Sequence, residues 1–338
     1  MKKYIPLTFQ EVKTMKLEKI EFGNPKPDVP YYYLKAALKS QKNLDSNVEV
    51  MQVRVNGIRN RDFTVANDGH KTIPAFWTCN SREHAVYIRL DWTAGDVFNV
   101  ALDLKDGEGK VTTVEESFRA DGKNGYWNKE WKYYASHVLK ETSGNDRIQE
   151  PVHVVLGIYK DRITNPDAEI RVVEIDPETG AGSEIRSQVY GTTVWDKWQD
   201  IHCQPTTTVE VAFLADVRAC AEKVFLIFYG NEKAKKPQYH TDLKISGDGY
   251  GLSIENAYYT VNLHKDSGSI DEIIPKNRPE LTYCHHLETN GALQWNPGIY
   301  APPKTWMHAS DWIEPSDFTV VQGPVFVMVK RFNPIVDY

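Results

Sequence analysis

The chain has 338 residues, of which 41% are hydrophobic and 25% charged, and its formal net charge is −6 at pH 7. This composition is typical of a globular chain long enough for two ordinary domains. The acidic balance and the lack of a basic stripe exclude nucleic acid as the expected partner. No apolar run reaches membrane-spanning length, so no membrane partner is expected either.

Residues 1–13 begin with two lysines but lack the apolar core of a secretory signal. The sequence therefore predicts either a cytoplasmic protein or an exported one whose signal is absent from this chain. The four cysteines are widely scattered and form no Cys-x-x-Cys pair, so no zinc ribbon or thioredoxin-like site is indicated. Free thiols are expected, with one disulfide as the alternative in an exported protein.

Residues 1–47 are predicted to form a helical or extended lead-in. A short helix is expected over 31–44, because Leu34, Ala37 and Leu38 would fall on one helical face. From residue 48 the hydrophobic period changes to two, and Asn56-Gly57 is a turn signal. Strands are predicted at 48–55, 84–92, 96–104, 110–118, 152–160, 168–176, 183–191, 206–217 and 223–231. The segment 48–231 is therefore expected to be a β-sandwich domain.

Trp127 and Trp131 lie four residues apart in the aromatic, glycine-rich segment 121–134. One helical turn would align their rings as a platform on which a sugar stacks. The interpretation we favour is that the pair covers the open end of the sandwich. The high aromatic content of 12% suits both all-β proteins and carbohydrate-handling surfaces.

A charged segment with one proline, 232–241, is predicted to be a linker, since it has no apolar pattern. A second antiparallel pattern then begins at 242 and extends to 338, with strands expected at 242–245, 252–256, 257–264 and 269–274. The fold class predicted for the whole chain is all-β, with an N-terminal β-sandwich followed by this second antiparallel domain.

Within that domain, IENAYYTVNLHKDSGSIDEI (254–273) combines an aromatic alternating strand, a Lys-Asp-Ser-Gly turn and a further apolar strand. It resembles the opening hairpin of the galactose-mutarotase-like β-supersandwich domain of polysaccharide lyases and related glycoside hydrolases. The resemblance covers the C-terminal third of the chain and implies carbohydrate chemistry. A full domain of this type needs more chain than follows the strand at 325–329, so an incomplete or abbreviated domain is expected.

The stretch 283–312, YCHHLETNGALQWNPGIYAPPKTWMHASDW, concentrates histidine, tryptophan and amide side chains between turn signals. A long polar loop with fixed prolines is uncommon in a compact domain unless it is functional. We interpret it as a surface that faces a ligand. The alternative is a loop whose aromatic side chains cap a hydrophobic edge.

A polysaccharide lyase acting on a uronic acid needs a base, an acid for the leaving oxygen and a group that neutralises the carboxylate. His285 or His286 is predicted to be the base, because the reference pKa of histidine lies near neutrality. Tyr300 is predicted to be the acid, and Asn290 or Asn296 the neutralising group. This β-elimination of a uronic-acid-containing glycan is the leading hypothesis.

Further residues are predicted to bind the oligo- or polysaccharide. Trp295 and Trp306 would form walls on which sugar rings stack. Arg278 and Arg331 would bind acidic groups bidentately, although an isolated arginine is more often a surface ion-pair partner. No cofactor is required by this hypothesis.

Three alternatives stay open on the sequence. A zinc or calcium site would use His286, Glu288, His308 and Asp311, but no metal is favoured. A glycoside hydrolase would use Glu288 with Asp311 or Glu314 as its pair of carboxylates. A non-catalytic glycan-binding or scaffolding protein would bind through the N-terminal sandwich.

Overall fold

The computed structural model describes residues 15–40, 48–67, 70–72, 76–77, 83–106, 108–195, 206–265, 268, 270–282 and 317–332. Antiparallel strands dominate this part, so the prediction of an all-β chain is confirmed. Its helical elements are α1 (Pro166–Glu169) and 3-10 turns at Lys160–Arg162 and Pro279–Leu281. No helix among these residues is long and apolar enough to cross a membrane.

Two sheets are built from the N-terminal part of the chain. Their strands are β1 (Met15–Gly23), β2 (Tyr33–Ser40), β3 (Val48–Val55), β4 (Ile58–Asn60), β5 (Phe63–Asn67), β6 (His70–Thr72), β7 (Phe76–Trp77), β8 (Glu83–Arg89), β9 (Val97–Lys105) and β10 (Val111–Arg119). The first sheet has the order β1-β2-β8-β5-β6. The second has the order β10-β9-β3-β4, with β7 also paired to β3.

The helix predicted over 31–44 is wrong, because β2 is a strand paired antiparallel with both β1 and β8. Leu34, Ala36 and Leu38 are buried while the residues between them are more exposed. This is the period of two that a strand with one buried face requires. Pairing with two neighbouring strands outweighs the helical propensity of the Leu-Lys-Ala-Ala-Leu sequence.

Two further sheets are formed by strands from the middle of the chain. Their strands are β11 (Tyr133–Lys140), β12 (Arg147–Tyr159), β13 (Arg171–Ile175), β14 (Gly182–Ile185), β15 (Ser187–Trp195), β16 (Thr206–Val217) and β17 (Glu222–Tyr229). One sheet has the order β11-β17-β13-β14, and the other has the order β12-β16-β15. The single strand predicted at 183–191 is two strands, β14 and β15, which belong to different sheets.

Trp127 and Trp131 belong to an aromatic cluster rather than to a free platform. Their ring centroids are 5.3 Å apart, and the Trp127 ring lies 5.1 Å from that of Phe228. Trp131 is only 7% exposed, so it has no open ring face on which a sugar could stack. Aromatic packing of this kind stabilises a core through buried area and favourable ring geometry.

The C-terminal part forms β18 (Lys244–Asp248), β19 (Gly251–Glu255), β20 (Tyr259–Leu263), β21 (Ile270–Pro275), β22 (Asp317–Gln322) and β23 (Val327–Phe332). Strands β18 to β21 pair in chain order as an antiparallel meander, and β22 pairs with β23. The hairpin predicted within 254–273 is confirmed as β20 and β21, and Gly268 takes a positive φ of 63° in its turn. The relation of this hairpin to a supersandwich stays a prediction.

The chain divides into two compact units. Unit 1 comprises Met1–Arg147, Val172–Glu184 and Val217–Phe228, and unit 2 comprises Ile148–Arg171, Ile185–Asp216 and Tyr229–Tyr338. The segment 232–241 has no regular strand or helix, as a linker would, but it belongs to unit 2. The domain limits predicted at 48, 231 and 242 stay predictions.

A buried carboxylate organises one loop of unit 1. Glu141 accepts backbone N–H groups from Ser143 and Gly144, both at 2.8 Å, and from Cys220 at 3.2 Å. It also accepts the Ser143 hydroxyl, and Arg147 pairs with it at 3.5 Å. The hydroxyl and amide donors lower the pKa of Glu141 from 4.5 to about 2. The ionised carboxylate is therefore the form that the fold stabilises.

We predict that Glu141→Gln lowers the urea midpoint of unfolding at pH 7, because the amide cannot accept all of these donors as an anion does. The folded pKa lies below the ordinary value, so the stabilisation is fully present above pH 4.5 and is lost as the pH falls toward 2. The midpoints of wild type and variant should therefore converge over that range. Glu115→Gln, on the exposed side of β10, is the control. A constant difference from pH 7 to pH 2 would contradict the assignment.

Candidate functional site

One face of the sheet formed by β12, β16 and β15 is open to solvent, and we call it the open face. It carries the residues His153, Val155, Gly157, Tyr159, Tyr190, Gly191, Thr193, Trp195, Thr206, Thr208 and Glu210. The opposite face is buried in the central part of β16 and in the second half of β12. The open face lies wholly within unit 2.

In β12 and β16, the alternation of buried and more exposed side chains produces this face. In β16, Val209 and Val211 are fully buried, whereas the adjacent Thr208 and Glu210 are partly exposed. In β12, Leu156 and Ile158 are buried, and Val155 and Tyr159 are exposed. Successive side chains of a strand point to opposite faces, so a polar and aromatic row is fixed opposite an apolar row.

Two large rings lie exposed at one end of the open face. Trp195 is 46% exposed, and its indole Nε1 donates to Thr208 Oγ1 at 3.1 Å. Tyr159 is 45% exposed, and the Arg162 guanidinium lies 4.8 Å from its ring centroid. The hydrogen bond satisfies the polar atom of Trp195 and fixes the ring, so the remaining exposed surface of the indole is apolar.

A carboxylate lies in the middle of the open face beside a glycine. Gly191 pairs with Glu210 across β15 and β16, and a Cβ added at Gly191 would lie 1.8 Å from Glu210 Oε2. A side chain at position 191 would therefore displace the carboxylate. Tyr190, immediately before this glycine, is the extra residue of a β-bulge, a feature that commonly redirects a side chain near a functional site.

An aromatic cluster closes the other end. The rings of Tyr190 and Phe326 are 5.1 Å apart, and the His153 ring lies 5.5 Å from that of Phe326. His153 Nδ1 and the Tyr190 hydroxyl are 3.3 Å apart. Burial and the nearby Glu210 carboxylate raise the pKa of Tyr190.

Phe326 reaches the sheet because the turn between β22 and β23 is attached to β15 through Gln188. The backbone N–H groups of Val325 and Phe326 donate to Gln188 Oε1 at 3.1 and 3.0 Å. A Cβ on Gly323 would lie 2.1 Å from Gln188 Cδ, so the turn can approach this closely only with glycine there. Thr241 Oγ1 also donates to the Pro324 carbonyl at 3.1 Å.

The open face combines exposed aromatic rings with polar side chains that can hydrogen-bond. Exposed apolar rings can pack against C–H groups of a ligand, and the Glu210 carboxylate and the His153 imidazole can hydrogen-bond its hydroxyl groups. Among the residues that the structure describes, no group of three or more histidine, cysteine, aspartate or glutamate side chains is placed to hold a metal ion.

Most site residues predicted from the sequence lie outside the described residues. They are His285, His286, Glu288, Asn290, Trp295, Asn296, Tyr300, Trp306, His308, Asp311 and Glu314. Their assigned roles stay predictions. Cys220, by contrast, is described and is a free thiol.

Both predicted arginines lie in described segments. Arg278 is exposed and donates from Nε to Glu280 at 2.9 Å, which is the surface ion pair that the sequence offered as its alternative role. Arg331 lies in β23, where its backbone is paired opposite Phe318. Neither observation tests a role in binding an acidic sugar.

The open face was missed from the sequence although its signal was present. The strands at 152–160 and 206–217 were predicted, and each alternates apolar residues with Tyr, His, Thr or Glu. What the sequence lacks is the pairing that places Trp195, Glu210 and Tyr159 on the same face. Those residues come from strands whose neighbours are set by tertiary structure.

The sequence and the structure of the chain were compared with those of known proteins. No family model matches it, and no curated protein matches it either. One similar solved chain is described among carbohydrate-binding modules of promiscuous specificity from the β-sandwich superfamily. Its identity is 12%, its TM-score is 0.16, and the alignment covers 64% of this chain and 97% of that one.

A second similar structure is the α-L-rhamnosidase of Aspergillus terreus, with 10% identity and a TM-score of 0.15. The alignment covers 72% of this chain and 30% of the rhamnosidase. At these TM-scores neither likeness carries an argument about function.

The position of Glu210 near Tyr190 leads to a prediction that can be tested without a ligand. Glu210→Gln removes the negative charge that helps to raise the pKa of Tyr190, so that pKa should fall toward the ordinary value of 10. Carbon-13 NMR of labelled tyrosine measures it, and Tyr190→Phe assigns the signal. Glu255→Gln, on β19, is the control and should leave the pKa unchanged. An unchanged pKa in Glu210→Gln would mean that the carboxylate does not face the phenol.

Proposed function

We propose that the chain binds a glycan on the open face of β12, β15 and β16, as a carbohydrate-binding β-protein. One observation carries the proposal. Trp195 presents an exposed ring whose polar atom is already bonded to Thr208, on the same sheet face as the Glu210 carboxylate. A fixed apolar ring beside a hydrogen-bond acceptor complements the alternating C–H and hydroxyl surface of a sugar.

The length of the open face favours an oligosaccharide over a single sugar. Trp195 pairs with Thr206, and Gly191 pairs with Glu210 four residues further along β16. At about 3.3 Å per residue, these positions are about 13 Å apart. The aromatic cluster of His153, Tyr190 and Phe326 extends the surface beyond Glu210. Several sugar units would therefore contact the face at once.

An exposed tryptophan also occurs in protein–protein interfaces. The open face differs from a usual interface core in having a carboxylate at its centre and two glycines, Gly157 and Gly191, in its surface. Charged residues are depleted in the centre of protein interfaces. A glycan is thus the better match, and a second protein chain is an outcome that the binding experiment separates.

Polysaccharide lyase activity is a second candidate. The observation that favours it is the composition of 283–312, which holds His285, His286 and Tyr300 together with four candidate binding residues. The hypothesis assigns proton abstraction to a histidine and protonation of the leaving oxygen to Tyr300. A binding face and a catalytic stretch at 283–312 are compatible in one protein.

We predict that Trp195→Ala weakens binding of the preferred glycan by about tenfold or more. A well-packed aromatic contact contributes about 1.4 kcal/mol to binding. Loss of that free energy corresponds to a tenfold decrease in affinity. Isothermal titration calorimetry against a panel of neutral and acidic oligosaccharides measures the change. The matched control is Tyr258→Ala, an aromatic residue that is 74% exposed outside the open face.

Equal affinities in wild type and Trp195→Ala would contradict the proposal. So would an equal loss in Tyr258→Ala. If no glycan binds and Trp195→Ala instead abolishes self-association in sedimentation experiments, the open face is a protein interface.

For the lyase hypothesis, the expected result is a rise in ultraviolet absorbance from the unsaturated product when the chain is incubated with a uronic-acid polysaccharide. His285→Ala and His286→Ala should each be tested, and loss of turnover with retained binding would identify the base. EDTA tests the alternative metal site. Absence of product on every uronic-acid polymer, or wild-type rates in both variants, would contradict the hypothesis.

A further inference from the structure

The charge of the Glu210 carboxylate is not balanced on the open face. The other residues of the face are aromatic, aliphatic, glycine or threonine residues, together with His153, whose formal charge at pH 7 is zero. Within the described part of the chain, no lysine or arginine forms an ion pair with Glu210. The face therefore presents one uncompensated negative charge at its centre.

Two other partly exposed carboxylates on strands of this protein have a cation beside them. Asp103 accepts a hydrogen bond from the Arg54 guanidinium at 2.9 Å, and Glu174 pairs with the Lys223 ammonium group at 2.8 Å. Glu210 is partly exposed as they are. Withdrawing an anion from water costs free energy unless a cation or several donors compensate it. The cation that is missing beside Glu210 is thus a group that a ligand can supply.

The carboxylate lies across the neighbouring strand β15. A Cβ built on Gly191 would collide with Glu210 Oε2, so the carboxylate occupies the space that a side chain at position 191 would take. It is also close enough to the Tyr190 phenol to help raise the pKa of that group. Because glycine leaves the surface of β15 low at this point, a ligand group can reach the carboxylate from the solvent side.

The strand on the other side, β12, brings aromatic rings to the carboxylate. Contacts between β12 and β16 run in opposite directions along the two strands, at Gly157 with Thr206 and at Gln149 with Asp216. Antiparallel pairing in this register places His153 beside Glu210. The His153 ring contacts those of Tyr190 and Phe326. Rings around the carboxylate exclude part of the solvent, and this strengthens its attraction for a cation.

We infer that the open face binds a glycan that carries unsubstituted amino sugars, with the ammonium group of one sugar at Glu210. This inference rests on the proposed glycan function and names its substrate class. An ammonium group donates up to three hydrogen bonds and supplies the charge that the carboxylate lacks. Thr206, the partner of Trp195, is about 13 Å from Glu210 along β16. Trp195 and Glu210 therefore contact different sugar units of the same glycan.

The same distribution of charge disfavours a uronic-acid glycan in the middle of this face. The Arg162 guanidinium lies against the Tyr159 ring, at the Trp195 end of the face. A uronate carboxylate beside Glu210 would meet a like charge without a compensating cation. An N-acetylated amino sugar is neutral and offers hydrogen bonds but no charge. The expected order of affinity is thus amino sugar, then N-acetylated sugar, then uronate.

Two tetrasaccharides with one backbone and different charge on nitrogen test the inference. They are β-1,4-linked glucosamine and its N-acetylated form, and a galacturonate tetrasaccharide is the acidic comparison. Isothermal titration calorimetry at pH 7 and low ionic strength measures the three affinities. Glu210→Gln removes the charge and keeps the size of the side chain. Glu255→Gln, a partly exposed carboxylate on β19 of the same unit, is the matched control.

Wild type and Glu255→Gln should bind the glucosamine tetrasaccharide about fivefold more tightly than its N-acetylated form, as one partly exposed ion pair allows. Both should bind galacturonate most weakly. Higher ionic strength should reduce the preference, because salt screens the ion pair. In Glu210→Gln the preference should disappear. The thermal midpoint and the Trp195 indole signal show whether that variant is folded.

Equal or tighter binding of the N-acetylated form or of galacturonate by wild type would overturn the inference, as would a preference that survives in Glu210→Gln. If wild type binds none of the three, or binds them without this preference, while binding of some glycan still depends on Trp195, only the amino-sugar inference fails and the open-face proposal stands. If no glycan binds at all, both fail.

Discussion

The alternation of side chains along β16 is the constraint on which the candidate site depends. Val209, Val211 and Phe213 are fully buried, and their burial leaves β16 with one permitted orientation. A shift of one residue in register would expose all three of them and bury Glu210. Each fully buried aliphatic or aromatic side chain is worth about 1.5–3 kcal/mol relative to exposure. The polar face of the strand is thus fixed by the apolar one.

The neighbours of β16 extend this face on both sides. Trp195 bonds to Thr208, Gly191 makes room for the Glu210 carboxylate, and Gly157 lies beside the Thr206 methyl group. At the end nearest Gln188, a turn from a distant hairpin adds the Phe326 ring. The open face is consequently composed of rigid strand positions and one attached turn. Sites built on such elements hold their side chains more precisely than sites on free loops.

The local sequence predicted most strands correctly. The predictions failed where the pairing with neighbouring strands determines the secondary structure or which face a residue occupies. The strand at 206–217 was predicted with the bounds that β16 has. In β3 an uninterrupted period of two would place Val50 and Gln52 on one face and Val53 and Val55 on the other. A bulge between Val50 and Gln52 reverses the phase, so Val48, Val50, Val53 and Val55 are all buried. A bulge adds one residue to one strand only, and a single strand's sequence does not reveal it.

The candidate site was harder to predict than the fold. The candidate residues of 283–312 are adjacent in sequence, whereas those of the open face come from three strands and a hairpin. Gln188 and Phe326 are 138 residues apart, and their contact brings the aromatic cluster together. Propensity and periodicity describe neighbours within a segment. They do not state which segments meet.

The measurement that tests the central claim most directly is the NMR signal of the Trp195 indole N–H during titration with the glycan panel. If the open face binds saccharide, this signal should shift with a saturable dependence on ligand concentration. The indole signals of Trp127 and Trp131, which belong to the aromatic cluster of unit 1, should stay in place. Saturable glycan binding that leaves the Trp195 signal unmoved would place the binding site elsewhere and contradict the account.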